Sequence, residues 1–193
     1  MDLYLPVLYG SVREGRRSFA LAEHVARRLQ SHPGVTTRLF DARALPFGNL
    51  VRREWEMDPI PPEVASFVAE MGRADGFLLV TPEYNYGYPG SLKNLLDHLY
   101  EEWNRKPFAL VTAGGISGGL RSADQLRQVI AGLGAVVIPR HVPVAHVEEV
   151  FGPEGFRGDP THFDGRLDGL FEELAWYARA LSEARRAAPN PPA

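Results

Sequence analysis

Short apolar runs alternate with amphipathic segments along the whole chain, and this alternation most constrains the fold. The runs are Leu3–Tyr9, Val35–Phe40, Gly76–Thr81, Phe108–Thr112 and Ala135–Ile138. Several are apolar at nearly every position, as expected of strands covered on both faces. Between and after them, apolar residues recur at helical spacing: Val64, Phe67, Val68 and Met71; Leu92, Leu95, Leu96 and Leu99; Leu126, Val129, Ile130 and Leu133. The last stripe is the longest, through Leu167, Leu170, Phe171, Leu174, Ala178 and Leu181, while the first, Leu21, Ala22, Val25 and Leu29, is less regular. Five strand–helix alternations predict a doubly wound, open α/β sheet with right-handed crossovers and helices on both faces.

At 193 residues with 45% hydrophobic and 23% charged content, the chain can bury one substantial core without staples. One domain is expected over 1–186, with a frayed tail at 187–193 ending in APNPPA. Two stretches interrupt the pattern and read as irregular loops: Asp41–Pro59, and His141–Pro160 with its prolines and glycines. Pro6 falls inside the first apolar run, which suggests a late strand start or a bulge.

With 21 basic against 24 acidic residues, the net charge of −3 gives no footprint for nucleic acid or an anionic membrane. No apolar run approaches a membrane span and no basic leader precedes the first strand, so a soluble, cytoplasmic protein is expected. There is no cysteine, which excludes disulfides, thiolate metal sites and thiol catalysis. Six histidines show no metal-ligand spacing, and no nucleophile triad or carboxylate pair stands out.

In an open parallel sheet, ligands bind beyond the carboxyl ends of the strands, so the loops there carry the chemistry. The first, Gly10–Ser11–Val12–Arg13–Glu14–Gly15–Arg16–Arg17–Ser18, brings hydroxyls, glycines and arginines to a helix N-terminus. Free backbone N–H groups, the helix dipole and arginine forks together suit a phosphate. The loop has neither the P-loop lysine nor the dinucleotide fingerprint, and the competing reading is a helix cap with solvated arginines. The next, Thr81–Pro82–Glu83–Tyr84–Asn85–Tyr86–Gly87–Tyr88–Pro89–Gly90, sets three tyrosines in a proline- and glycine-fixed backbone. Such a surface suits a flat heteroaromatic ligand or a subunit contact rich in tyrosine. The last, Thr112–Ala113–Gly114–Gly115–Ile116–Ser117–Gly118–Gly119, would let a backbone approach a ligand closely or would simply be flexible.

Taken together, GSVREGRRS (10–18), TPEYNYGYPGSLKNLLD (81–97) and TAGGISGGLRS (112–122) resemble the NADPH-dependent FMN reductase family of flavodoxin-like proteins, which includes quinone, azo-dye and chromate reductases. The resemblance extends over roughly residues 1–140. It implies a five-stranded parallel sheet of order 2-1-3-4-5 with FMN at the strand carboxyl ends and NADPH or NADH as hydride donor. By position, Ser11, Arg13 and Ser18, with Arg17 as an addition, would hold the phosphate. Pro82, Glu83, Tyr84 and Asn85 would lie along the isoalloxazine and ribityl, mostly through backbone groups. Thr112, Ala113, Gly114 and Gly115 would border the polar edge of the ring. A homodimer or homotetramer is implied, with Glu83 and its neighbours near the contact. The sequence departs from many members at Ala20, where asparagine is common, and at Gly87, where serine is.

The implied activity passes hydride from NAD(P)H to FMN and on to a small-molecule acceptor such as a flavin, quinone or azo compound. Because that chemistry belongs to the cofactor, no catalytic side chain and no metal ligand is nominated. A flavodoxin-type electron carrier is the alternative, although its hydroxyl-rich phosphate loop is missing here; a binding module that has lost the flavin is another.

Overall fold

The structure, a computed structural model, describes residues 2–45, 48–152 and 154–188. In chain order its elements are β1 (Leu3–Tyr4), β2 (Val7–Tyr9), α1 (Phe19–Gln30), β3 (Val35–Thr36), β4 (Leu39–Asp41), α2 (Pro62–Gly72), β5 (Phe77–Pro82), α3 (Gly90–Asp97), β6 (Pro107–Gly114), α4 (Leu120–Gly132), β7 (Val136–Ala145), α5 (Val147–Val150), β8 (Phe151–Gly152), β9 (Gly155–Phe156) and α6 (Thr161–Ala187). The central sheet runs β4-β2-β5-β6-β7 with every pair parallel. Counted as five strands along the chain, this is the expected order 2-1-3-4-5. The parallel pair β1–β3 extends the first two strands at their N-terminal ends.

Pro6 explains the split of the first strand. Backbone bonds continue across the break, from Leu5 N–H to the Thr36 carbonyl at 3.0 Å and from Val7 N–H to Arg38 at 2.9 Å. The Pro6 carbonyl accepts from Leu78 N–H at 3.0 Å, so the donor that proline lacks falls opposite Gly76, just before β5 begins.

The apolar stripes bury as their spacing predicts. Leu21, Val25 and Leu29 of α1 pack with Leu167, Leu170, Phe171 and Leu174 of α6 on one face of the sheet. Phe67 and Met71 of α2, Leu92 and Leu96 of α3, and Leu126 and Ile130 of α4 cover the other. Trp103 anchors that second layer, its indole N–H donating to the Leu96 carbonyl at 2.9 Å. Lys106 lies buried at the end of α2, where its ammonium donates to the Met71 and Gly72 carbonyls at 2.8 and 2.7 Å. Such a cation satisfies carbonyls that the helix leaves open.

The stretch 141–160, read from its prolines as a long loop, is mostly ordered secondary structure. β7 continues to Ala145 with Pro139 and Pro143 inside it, and α5 and the β8–β9 hairpin follow. The prolines are tolerated because β7 is the edge strand of the sheet, and Pro139 falls where its register against β6 shifts between Val137 and His141. The 41–59 excursion is irregular as expected, with two short 3₁₀ turns at Ala42–Ala44 and Glu54–Glu56. Asn94 ties it to α3, accepting from Leu50 N–H at 2.9 Å and donating to the Gly48 carbonyl at 2.7 Å. At the other end of the chain, α6 extends through Ala187, while the remainder of the expected tail, 189–193, lies outside the described residues.

Gly10 ends the first strand where α3 crosses it. A β-carbon there would lie 2.7 Å from the Leu92 Cβ, a contact that no side-chain rotation relieves. Gly10→Ala should therefore push α3 from the sheet and lower stability by about 1–3 kcal/mol, measured by urea unfolding; an unchanged midpoint would show that the helix yields freely.

Candidate functional site

Parallel pairing brings the carboxyl ends of β2, β5 and β6 to one edge of the sheet, and a cavity of about 480 Å³ opens there. Its lining comes from all three loops singled out above. Arg13, Arg17 and Ser18 come from the first loop; Pro82, Glu83 and Tyr84 from the next; Ala113, Gly114 and Gly115 from the last.

Arg16 shapes the first loop. Its guanidinium donates to the Ser11 carbonyl at 2.8 Å and to Asp41 Oδ1 at 2.6 Å, with a second bond to the same carboxylate. It also lies over the rings of Phe19 at 4.3 Å and Tyr9 at 5.3 Å. This ties the loop to the end of the neighbouring strand β4. The backbone N–H groups of Arg13, Gly15, Arg17 and Ser18 meanwhile make no hydrogen bond among the described residues. Gly15 takes a positive φ of 59°, and a β-carbon there would meet nothing. Arg13 lies 5.2 Å over the Tyr84 ring, while Arg17 reaches only Glu148, at 3.8 Å. Two arginines and several unbonded backbone donors thus line one cavity, a combination suited to a phosphate.

Ser11 and Ser18 are both buried. Ser18 Oγ pairs with the Tyr9 hydroxyl at 2.9 Å and makes no helix cap, so the capping reading of this loop fails. Ser11 does not line the cavity directly; its hydroxyl meets that of Tyr84 at 2.7 Å and links the first two loops.

Tyr84–Gly87 forms a tight turn, with Tyr84 N–H donating to the Gly87 carbonyl at 2.7 Å and Gly87 N–H to that of Tyr84 at 3.0 Å. Its central residues, Asn85 and Tyr86, have φ of 50° and 67°, the positive values a type I′ turn requires. Asn85 sits at the tip and outside the cavity lining. A β-carbon at Gly87 would lie 3.0 Å from Gln125 Oε1, a contact that a small shift of the flexible Gln125 side chain relieves. The exposed Tyr86 ring carries the Arg121 guanidinium 4.2 Å above it.

Glu83 spends its carboxylate on the protein. It accepts from the Arg121 and Ser122 backbone N–H groups at 3.1 and 3.5 Å and pairs with the Arg121 side chain at 3.7 Å. It therefore caps α4, which has no side-chain cap of its own.

The glycines of the last loop divide by role. Gly118 and Gly119 have φ of 61° and 88°, and β-carbons there would come within 2.9 Å of Pro143 Cβ and 2.8 Å of Thr112 Cβ. Both are packing requirements. Gly115 faces open space. Thr112 turns away from the cavity: its hydroxyl donates to the Gly118 carbonyl at 2.7 Å and so accepts from His141 Nε2–H, also at 2.7 Å. Burial, with Arg127 and Arg166 nearby, lowers the His141 pKa to about 4, against a small opposing effect of Asp124.

The sequence reading missed three contributors. Arg16 was legible as one of three arginines but not as the tie. Val147 and Glu148 close the cavity from α5, inside the stretch taken for a loop. Among the described residues no group of three or more His, Asp or Glu is placed to hold a metal, and no helix is long and apolar enough to cross a membrane.

A sheet of this order, with a phosphate-suited loop and an aromatic turn at its carboxyl edge, defines a flavodoxin-like flavin protein. The profile of the NADPH-dependent FMN reductase family matches residues 4–149, and the chain belongs to that family. An NAD(P)H-dependent FMN reductase of Schizosaccharomyces pombe is 52% identical over 71 residues, 37% of this chain and 35% of that protein; that match thus spans about a third of the relative. A quinone reductase of Escherichia coli is 32% identical over 148 residues, 70% of this chain and 73% of that one. Among solved structures, the flavoenzyme NAD(P)H:(acceptor) oxidoreductase FerB from Paracoccus denitrificans shares the fold at a TM-score of 0.70 and 23% identity, covering 91% of this chain and 98% of that one. FMN as cofactor, NAD(P)H as electron donor and oxidoreductase as activity class come with the family.

His141 gives the site a pH signature. Its folded pKa of about 4 lies below the ordinary 6.5, so the neutral ring supports the fold above pH 6.5 and that support is lost as pH falls toward 4. Replacing it by Gln keeps a donor for Thr112 without a titrating ring. The melting temperature of the variant should fall less between pH 6.5 and 4 than that of the wild type; parallel curves would place the titration elsewhere.

Proposed function

We propose that the chain is an FMN-dependent NAD(P)H oxidoreductase that passes reducing equivalents to quinones, flavins, azo compounds or similar small acceptors, with the cavity at the ends of β2, β5 and β6 as its cofactor site. The observation that carries this reading is the set of unbonded backbone N–H groups at Arg13, Gly15, Arg17 and Ser18, which line the same cavity as Tyr84 beside the Arg13 and Arg17 side chains. FMN fits this lining: a dianionic phosphate meets unspent donors, and a flat ring meets main chain that carries little side-chain bulk. Bound there, FMN supplies hydride acceptance from the nicotinamide and delivery to the acceptor.

The chain's own residues then bind and orient. Arg13, Arg17 and the unbonded N–H groups beside them hold the phosphate, with Ser18 lining that end and Ser11 setting Tyr84 in place. Pro82, Glu83 and Tyr84 flank the ring through their main chain, with Glu83 also holding α4 and the turn together, while Asn85 shapes the turn from outside the lining. The N–H group of Gly115, which lines the cavity and finds no acceptor among the described residues, can donate to the ring's polar edge. Ala113 and Gly114 border that edge, and Thr112 supports the loop from behind.

The exposed Tyr86 and Ile116, at 62% and 90% accessible, with Leu120 nearby in sequence, leave an apolar rim on the second and third loops. We read it as the contact between copies in a homodimer or homotetramer. Light scattering should give at least a dimer, and Ile116→Asp should shift it toward monomer; a monomeric wild type would remove this part of the proposal.

The activity itself is tested by adding NADPH to the FMN-loaded protein without oxygen. The yellow absorbance should bleach directly and return on adding a quinone. Bleaching only with a separate reductase present would make the chain an electron carrier. For the site, Arg13→Ala should weaken FMN binding about tenfold, the loss of roughly one charge-assisted hydrogen bond. Unchanged affinity in a fluorescence titration would remove Arg13 from it.

A further inference from the structure

The cofactor cavity adjoins a second one of about 410 Å³, and Gly15, Arg16, Arg17 and Glu148 form their common wall. Its far side is the β8–β9 hairpin, through Phe151, Gly152 and Arg157, and Phe19 of α1 faces it from below the shared wall. The Arg157 guanidinium lies against Gly152, where a β-carbon would come within 2.9 Å of its Nε. Its backbone N–H donates to the Val150 carbonyl at 2.8 Å, which fixes the root of the side chain. No acceptor among the described residues takes a hydrogen bond from its guanidinium. Across the cavity, Arg17 has only its long contact to Glu148.

The lining is therefore mixed. Two guanidinium groups have donors to spare, Phe19 and Phe151 give apolar surface, and Glu23 and Glu148 add carboxylates. A free inorganic anion would meet those carboxylates unfavourably. A nucleotide can set its ribose 3′-hydroxyl and exocyclic amine against those carboxylates while a guanidinium stacks on the purine and forks onto a 2′-phosphate.

We propose that this second cavity binds the adenosine 2′-phosphate end of NADPH and that Arg157 is the residue selecting NADPH over NADH. The inference rests on the reading of the first cavity as the FMN site. A dinucleotide whose nicotinamide end occupies that cavity would cross the Arg17–Glu148 wall to place its adenosine end in the second. Only binding is involved, with no added chemical step.

The test is calorimetry on the FMN-loaded protein with 2′,5′-ADP and 5′-AMP as probes. The wild type should bind 2′,5′-ADP at least about tenfold more tightly than 5′-AMP, the worth of roughly one charge-assisted hydrogen bond. Arg157→Gln should remove that preference and Arg157→Lys should restore only part of it. The ratio of kcat/KM for NADPH over NADH should fall by the same factor in Arg157→Gln. Equal affinity of the two probes for the wild type, or a preference that survives Arg157→Gln, would overturn the proposal. Failure to take up FMN would be a separate result, against the FMN site itself. In that case the comparison of the wild type with Arg157→Gln decides the adenosine subsite, because Arg157 lines only the second cavity.

Discussion

The bond network of Arg16 is the constraint on which the site depends. One guanidinium closes the β2–α1 loop onto the Ser11 carbonyl and locks it to Asp41, the last residue of the adjacent strand. A loop rich in polar groups would ordinarily satisfy its own backbone. Here the arginine holds the loop in place through a carbonyl and a carboxylate, neither of which consumes the N–H groups of 12–18. The aromatic rings of Tyr9 and Phe19 beneath the guanidinium limit its movement. Local positive charge is then arranged in a chain whose net charge is −3.

The parallel sheet supplies the rest. Because all five strands run the same way, every loop that follows a strand emerges at the same edge. Three distant stretches of sequence thereby become neighbours, joined by the Ser11–Tyr84 hydroxyl pair and by the bond from Glu83 N–H to the Ala113 carbonyl at 2.7 Å. The carboxylate of Glu83 then fixes α4, and the close packing at Gly118 and Gly119 holds the third loop down on Thr112 and β7. Each loop is rigid for a different reason: an ion pair, a type I′ turn and close-packed glycine.

Much of this was legible in the sequence. Continuous apolar runs identified buried parallel strands, and helical spacing assigned every major stripe to the core. The three loops were found because strand ends in such a sheet carry ligands. Two kinds of information were hidden. Pro143 looked like a loop residue because a sequence does not show which strand will be the edge, where proline is tolerated. The direction of side chains was hidden too. Thr112 and the Glu83 carboxylate lie in the right loops but point to His141 and to α4, and only tertiary packing decides that.

The central claim is that the 12–18 loop keeps its donors free in order to hold a phosphate. Comparing the affinities of the chain for FMN and for riboflavin, which lacks only the phosphate, tests it most directly. Several charge-assisted hydrogen bonds should make FMN bind at least about a hundredfold more tightly. Equal affinity would mean that the loop does not hold the phosphate and would contradict the account.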